Sequence, residues 1–174
     1  MKIKFTIIAA FLFPVLINAQ TFQIDKPALP IDSLKKVLPL LHDSARVDCL
    51  NELARSYTEA ITSIDSDTAL SLAKQAYAEA SAINYIKGLG DACFREGILW
   101  QWYHWNINEA RVYYREAISL YKKIANYEGL GHAFLGWSSC SSGDEEKKGL
   151  DQSAIYFMKT GNQVMLAEVS DQYG

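Results

Sequence analysis

The chain has 174 residues, 49% hydrophobic and 21% charged, with a formal net charge of −3 and only four prolines. This composition supplies a packed core and excludes wholesale disorder. No long basic run is present, so the electrostatic footprint of a nucleic-acid binder is missing, and nucleic acid is not an expected partner.

The first nineteen residues read as a secretory leader. Lys2 and Lys4 precede an apolar stretch from Phe5 to Ile17, broken only by Thr6 and Pro14, and the small Ala19 offers a cleavage point. A membrane-spanning helix needs about 20 apolar residues, so cleavage after Ala19 is the expected outcome. Removing residues 1–19 leaves 15 basic and 20 acidic groups, net −5. That balance gives no attraction to anionic membrane surfaces. Membrane contact is expected only through the leader or through an anchor downstream of this sequence. The expected location is the periplasm or cell envelope.

Residues 20–43 read as a lead-in: an extended segment, then a short helix capped by Asp32 and running from Ser33 to about His42, interrupted near Pro39. The next helix starts at Asp43-Ser44 and runs to about Ile61, with Leu50, Leu53, Ala54 and Tyr57 facing inward. A polar loop, Thr62 to Asp67, leads into a helix from Thr68 to about Ile86. Helices are then predicted over Leu89–His104, Ile107–Asn126, Leu130–Ser141, Lys148–Thr160 and Asn162–Gln172. No stretch sustains period-two alternation, so no sheet is expected.

Within this pattern lies a repeat. Ala73 to Phe94 (AKQAYAEASAINYIKGLGDACF) matches Tyr114 to Leu135 (YREAISLYKKIANYEGLGHAFL) at an ungapped offset of 41 residues. Ala76 aligns with Ala117, Ile83 with Ile124, and Gly88-Leu89-Gly90 with Gly129-Leu130-Gly131. The spacing of Ala69, Ala73, Ala76 and Ala80 returns in Ala110, Tyr114, Ala117 and Tyr121, a stripe on one helix face. Each Gly-Leu-Gly is expected to end one helix and open the next, because glycine adopts the left-handed conformation at low cost.

Chemistry-bearing motifs are sparse. His42, His104 and His132 occupy no metal-ligand spacing, and neither HExxH nor GxSxG occurs. Asp65-Ser66-Asp67-Thr68 resembles the start of a calcium loop, but Leu70 stands at the glycine place and Ala76 at the glutamate place, so a helix cap is the reading. Asp144-Glu145-Glu146-Lys147-Lys148 reads as a solvated loop opening a helix. Cys49, Cys93 and Cys140 are an odd number, far apart, and read as small buried residues. No metal or cofactor is expected. The aromatic run Trp100-Gln101-Trp102-Tyr103-His104-Trp105 supplies two apolar faces for stacking between repeat units. Trp102 with Gln101 is the candidate for contact with a ligand, since aromatics dominate binding hot spots.

The marks of the repeat resemble the tetratricopeptide (TPR) family. A first unit carries Leu50, Leu53, Ala54 and Tyr57, then Ala69, Ala73 and Ala76. A second carries Cys93, Gly97 and Trp100, then Ala110, Tyr114 and Ala117. A third, degenerate unit has Phe134, Trp137, Ser138 and Ser141, then Leu150, Ala154 and Phe157. A fourth begins at Asn162, with Ala167 lying 34 residues after Ala133, the usual TPR period. The first two periods are long, and Glu96 replaces an expected apolar residue. The resemblance implies an all-α solenoid of helix–turn–helix units over residues 44–174, about three and a half repeats (44–87, 88–128, 129–160 and a partial 161–174). More narrowly, a leader followed by such repeats is similar to the exported sensory segments of bacterial two-component histidine kinases and related regulators. On that resemblance the chain is expected to be part of a longer protein, because the fourth unit stops at Gly174 without its second helix.

Groove positions carried over from the family fall on Asn51, Arg55, Thr58, Arg95, Gln101 and His132. Together with Trp102 they are the candidate binding residues, suited to a peptide carboxylate or acidic side chain. The expected function is a protein- or peptide-binding scaffold of the cell envelope, without catalysis; the narrower resemblance implies a part in signal transduction. The alternative is an exported hydrolase built around His104 or His132, for which no nucleophile–base pair is legible.

Overall fold

The alanine stripe marks where helices approach most closely. Ala69, Ala73, Ala76 and Ala80 are all fully buried. They lie on one face of a helix spanning Ser66–Ala82, and their small side chains let both neighbouring helices pack against it. The computed structural model describes residues 29–59 and 65–173. The leader expected over residues 1–19 and residues 20–28 of the lead-in lie outside the described residues, as does Ile61, the expected end of the first full helix.

The described residues form eight α-helices and no strand: α1 (Ile31–Val37), α2 (Asp43–Glu59), α3 (Ser66–Ala82), α4 (Ile86–Trp102), α5 (Ile107–Lys123), α6 (Tyr127–Ser139), α7 (Asp144–Thr160) and α8 (Gln163–Gln172). A single 3₁₀ turn, Leu38–Leu40, comes after α1. Each helix from α2 onward packs on its chain neighbours, and α4 also touches both α2 and α6. Tyr121 of α5 meets Gly90 of α4 while Tyr114 meets Gly97, so α4 and α5 run antiparallel. Gly129 and Gly136 of α6 meet the same two tyrosines, so α6 again runs antiparallel to α5.

The main core lies between α4 and α8, where Cys93, Tyr114, Leu135, Phe157 and Met165 are fully buried. Smaller clusters knit α1 to α4, including Leu34, Cys49 and Leu53 between α1 and α2. Cys49, Cys93 and Cys140 are all free thiols and all buried. Burial pushes the Cys140 thiol up to about 12, so it behaves as a small apolar side chain.

The Gly-Leu-Gly motifs do not end helices. Gly88-Leu89-Gly90 lies in the first turns of α4, and Gly129-Leu130-Gly131 in those of α6. The helices before them stop earlier, at Ala82 and Lys123. Each is closed by a non-glycine residue in the left-handed region, Asn84 (φ 54°) and Ala125 (φ 52°). Trp105 (φ 53°) does the same after α4. At three boundaries an asparagine then opens the next helix. Asn106, Asn126 and Asn162 accept from the backbone N–H of Glu109, Gly129 and Met165. An asparagine cap satisfies one otherwise orphaned donor and is worth about 1 kcal/mol. The glycines serve close packing: a Cβ on Gly90, Gly97, Gly129 or Gly136 would stand within 2.8 Å of a buried tyrosine ring.

Three further boundaries differ from expectation. Asp32 does not cap α1; Pro30 precedes the helix and Asp32 lies in its first turn. Helix α3 starts at Ser66 rather than Thr68, while the reading of the Asp65-Ser66-Asp67-Thr68 run as a helix cap holds, the Asp65 carboxylate accepting from Thr68 N at 2.9 Å. The acidic run Asp144-Glu145-Glu146 is the first turn of α7 rather than a loop before it, where the helix dipole favours negative charge.

Candidate binding groove

Helices α2, α4 and α6 lie side by side, each offering residues spaced three or four apart along one face. Asn51 of α2 donates from Nδ2 to the Gly88 carbonyl of α4 at 3.1 Å. Phe94 of α4 and His132 of α6 bring their rings to 6.0 Å. Along this face runs a groove of about 720 Å³. Asp48, Asn51, Glu52 and Arg55 come from α2, Lys87, Asp91, Phe94 and Arg95 from α4, and Glu128, Gly129 and His132 from α6. Leu29 and Leu34 close one side, with Leu29 held to α2 through Ser56 Oγ, which donates to its carbonyl at 2.8 Å.

One wall of the groove belongs to neither α2, α4 nor α6. Tyr121 reaches it from α5, between Gly90 and Gly129. Its hydroxyl donates to Asp91 Oδ1 at 2.7 Å. The two glycines thus open a slot through which a residue of another helix enters the groove.

The charges along the groove differ in how they are compensated. Arg55 is bound to Glu52, with Nε 3.0 Å from Oε2, and lies 3.8 Å from Glu59. Lys87 pairs with Asp91 at 2.7 Å and with Asp48 at 3.5 Å. Arg95 makes no hydrogen bond or ion pair among the described residues; its guanidinium lies 5.3 Å from the Phe94 ring. Protein surrounds it, and burial pulls its pKa down, yet it remains partly exposed through the groove. Asn51 Oδ1 and both ring nitrogens of His132 are buried without a hydrogen-bond partner. His132 Nε2 lies 3.4 Å from the Glu128 carboxylate. That carboxyl is held down to about 2 by His132 and by Asn162, whose Nδ2 donates to it at 2.7 Å.

Of the candidate residues, Asn51, Arg55, Arg95 and His132 line this one groove. Thr58, Gln101 and Trp102 do not. Thr58 donates to the Arg55 carbonyl at 2.7 Å, and its own carbonyl accepts from Tyr103. Gln101 is buried between helices, donating to Ser139 Oγ at 3.0 Å and accepting from Tyr114 at 2.8 Å. Trp102 packs half-buried against the main core, and the His104 ring lies 4.9 Å from that of Trp100, tilted by 48°. The expected groove positions for Gln101 and Trp102 are therefore corrected: α4 ends at Trp102, so its last turn is used for packing.

Groove residues that the sequence did not single out are Asp48, Glu52, Lys87, Asp91, Phe94, Tyr121 and Glu128. Steps of three and four from Asn51, Arg55 and Arg95 reach Asp48, Glu52, Asp91 and then Lys87, while Phe94 adjoins Arg95, so helical spacing was a usable signal for four of the seven. Glu128 lies four before His132. Nothing in the sequence indicates that Tyr121 crosses into the groove. Among the described residues no helix is long and apolar enough to cross a membrane, and no cluster of three or more His, Cys, Asp or Glu side chains is placed to hold a metal. Comparison of the chain with protein-family models, with curated proteins and with solved structures finds no match.

Proposed function

We propose that the chain is an exported, tetratricopeptide-type repeat protein whose groove binds an extended segment of another protein through an acidic side chain or a terminal carboxylate. The observation that carries this reading is the Arg95 guanidinium, without a hydrogen bond or ion pair at a groove where Asn51 and His132 also hold unpaired polar atoms. A carboxylate accepts two hydrogen bonds from a guanidinium in parallel, and an extended peptide brings backbone N–H donors suited to Asn51 Oδ1. The solenoid reading draws support from antiparallel helix pairs whose first members α2, α4 and α6 line up, and from the 41-residue repeat. Export draws support from the leader pattern of residues 1–19. A role as the sensory part of a signalling protein belongs to the same reading.

A hydrolase reading has one observation in its favour, the His132–Glu128 approach of 3.4 Å. A nucleophile to complete it is missing from the groove: burial is the main cause that pushes the Cys49 thiol up, and the Tyr121 hydroxyl is engaged with Asp91. Binding therefore remains the better account.

The test is binding of a peptide array, graded in acidic residues and in free or amidated C-termini, with titration of the best peptides. Arg95→Gln is expected to weaken binding at least tenfold, about 1.4 kcal/mol. Equal binding of acidic and neutral peptides, or an unaffected Arg95→Gln protein, removes the proposal. Peptide or ester hydrolysis lost in His132→Ala would replace it with the hydrolase reading.

A further inference from the structure

A second cavity, of about 380 Å³, opens between α3 and α5 behind α4. It is not continuous with the groove. Lys87, Asp91 and Arg95 mark the groove face of α4, and at 3.6 residues per turn Glu96 projects about half a turn away from Lys87. Glu96 is the residue that departs from the apolar pattern of its helix. It is only 3% exposed, and its Oε2 has no hydrogen-bond partner.

A buried carboxylate oxygen without a partner is costly. An apolar side chain at this position would pack without that cost, so the acid is a local departure of the kind that accompanies function. Burial is the largest influence on the Glu96 carboxyl and raises its pKa, against Tyr113 and Lys74, which lower it. The surroundings fit one kind of guest. Tyr77 of α3 and Tyr113 of α5 line the cavity with Glu116, which accepts from the Tyr77 hydroxyl at 2.9 Å. Lys74 is the one cation of the lining, and it is exposed. Two carboxylates beside two phenol rings complement a compact organic cation, which gains from both. Oε2 is the Glu96 oxygen buried without a partner, and an ammonium satisfies one such acceptor, whereas the guanidinium fork needs two in parallel. Among the described residues no three His, Cys, Asp or Glu side chains come together to hold a metal ion.

We propose that this cavity is a second binding site, for an alkylammonium group, with Glu96 as counter-ion, Glu116 as second acceptor and Tyr77 and Tyr113 as aromatic walls. The ammonium is carried either by a free amine or by a lysine of a partner protein. Both present the same group. The site is independent of the groove.

The test is an NMR titration of the full chain, following the ring resonances of Tyr77 and Tyr113. The probes are n-butylammonium, the neutral alcohol pentanol, one methylene longer, and an acetylated, amidated Gly-Lys-Gly peptide. Saturable shifts are expected with butylammonium and not with pentanol. Glu96→Gln is expected to weaken butylammonium binding at least tenfold, while Arg95→Gln leaves it unchanged, which separates this site from the groove. A peptide that binds at least tenfold tighter than butylammonium assigns the ammonium to a partner's lysine; a peptide that binds equally or more weakly assigns it to a free amine. If Glu96→Gln does not fold, Glu116→Gln carries the same comparison, with weakening again expected. Pentanol binding as well as butylammonium, an absence of saturation at tens of millimolar amine, or an unchanged midpoint in the folded variant overturns the proposal.

Discussion

The ring of Tyr121 lies so close to Gly90 that a Cβ added to the glycine would stand 2.7 Å from ring carbon Cε1. Tyr121 has little freedom to move aside. Gly129 lies close on α6, and the tyrosine hydroxyl is bound to Asp91. Gly90→Ala therefore sets a helix-propensity gain of about 1 kcal/mol against an overpacking cost of about 1–3 kcal/mol. The expected result is a net loss of about 1 kcal/mol, read from denaturant midpoints at unchanged slope. In a Tyr121→Leu background the same substitution should become neutral or stabilising. If Gly90→Ala stabilises the unmodified protein, the slot is looser than described.

Tyr114 and Gln101 form the second buried link between α5 and α4, at 2.8 Å. Tyr114→Phe strands the Gln101 Oε1 acceptor in the core, and the expected cost is about 1–3 kcal/mol. Replacing both residues, as Tyr114→Phe with Gln101→Leu, should recover part of that loss. A double-mutant cycle measures the recovery, and a coupling below about 0.5 kcal/mol would show that the hydrogen bond adds little.

Arg95 contrasts with Arg55, which is held by Glu52. A guanidinium without a hydrogen bond or ion pair in a protein-lined site contributes little to folding, and an apolar side chain of similar reach is tolerated there. Arg95→Met is expected to leave the unfolding midpoint unchanged or raise it, while acidic peptide binding falls. A marked loss of stability in thermal unfolding would assign Arg95 a structural role instead.

Glu128 links α6 to the start of α8 through Asn162. Its carboxyl lies at about 2, below the ordinary value of 4.5, chiefly because of His132. A carboxyl with a depressed folded-state pKa stabilises the fold fully above its unfolded value, and that contribution disappears as the pH falls through the folded one. Stability should therefore decline between about pH 4.5 and pH 2, and the decline should be shallower in Glu128→Gln. Acid unfolding monitored by circular dichroism checks this; parallel curves for the two proteins would place the acid sensitivity elsewhere.

Much of the helical pattern is legible in the sequence because it is carried by local chemistry. The alanine spacing of α3 and the start of α5 at Ile107 come from side-chain periodicity, and both are present in the structure. Four of the proposed groove residues, Asn51, Arg55, Arg95 and His132, meet in one place because helical spacing fixes which residues share a face. The expected starts of α4 and α6, Leu89 and Leu130, fall three residues late of the observed Ile86 and Tyr127. Glycine serves equally for a left-handed stop and for close packing, and only the neighbouring helix decides which role applies.

By itself the sequence determined the all-helical character of the described chain and the repeat that the Gly-Leu-Gly motifs mark. Periodicity and composition act within a few turns and need no partner. The tertiary structure alone decided that those glycines make room for Tyr121 and its neighbours, that Gln101 and Trp102 turn to packing, and that Arg95 is left without a hydrogen bond or ion pair. Contacts such as Tyr114 with Gln101, Tyr121 with Asp91 and Gln101 with Ser139 join residues 13, 30 and 38 positions apart, and such a juxtaposition exists only once the helices have docked.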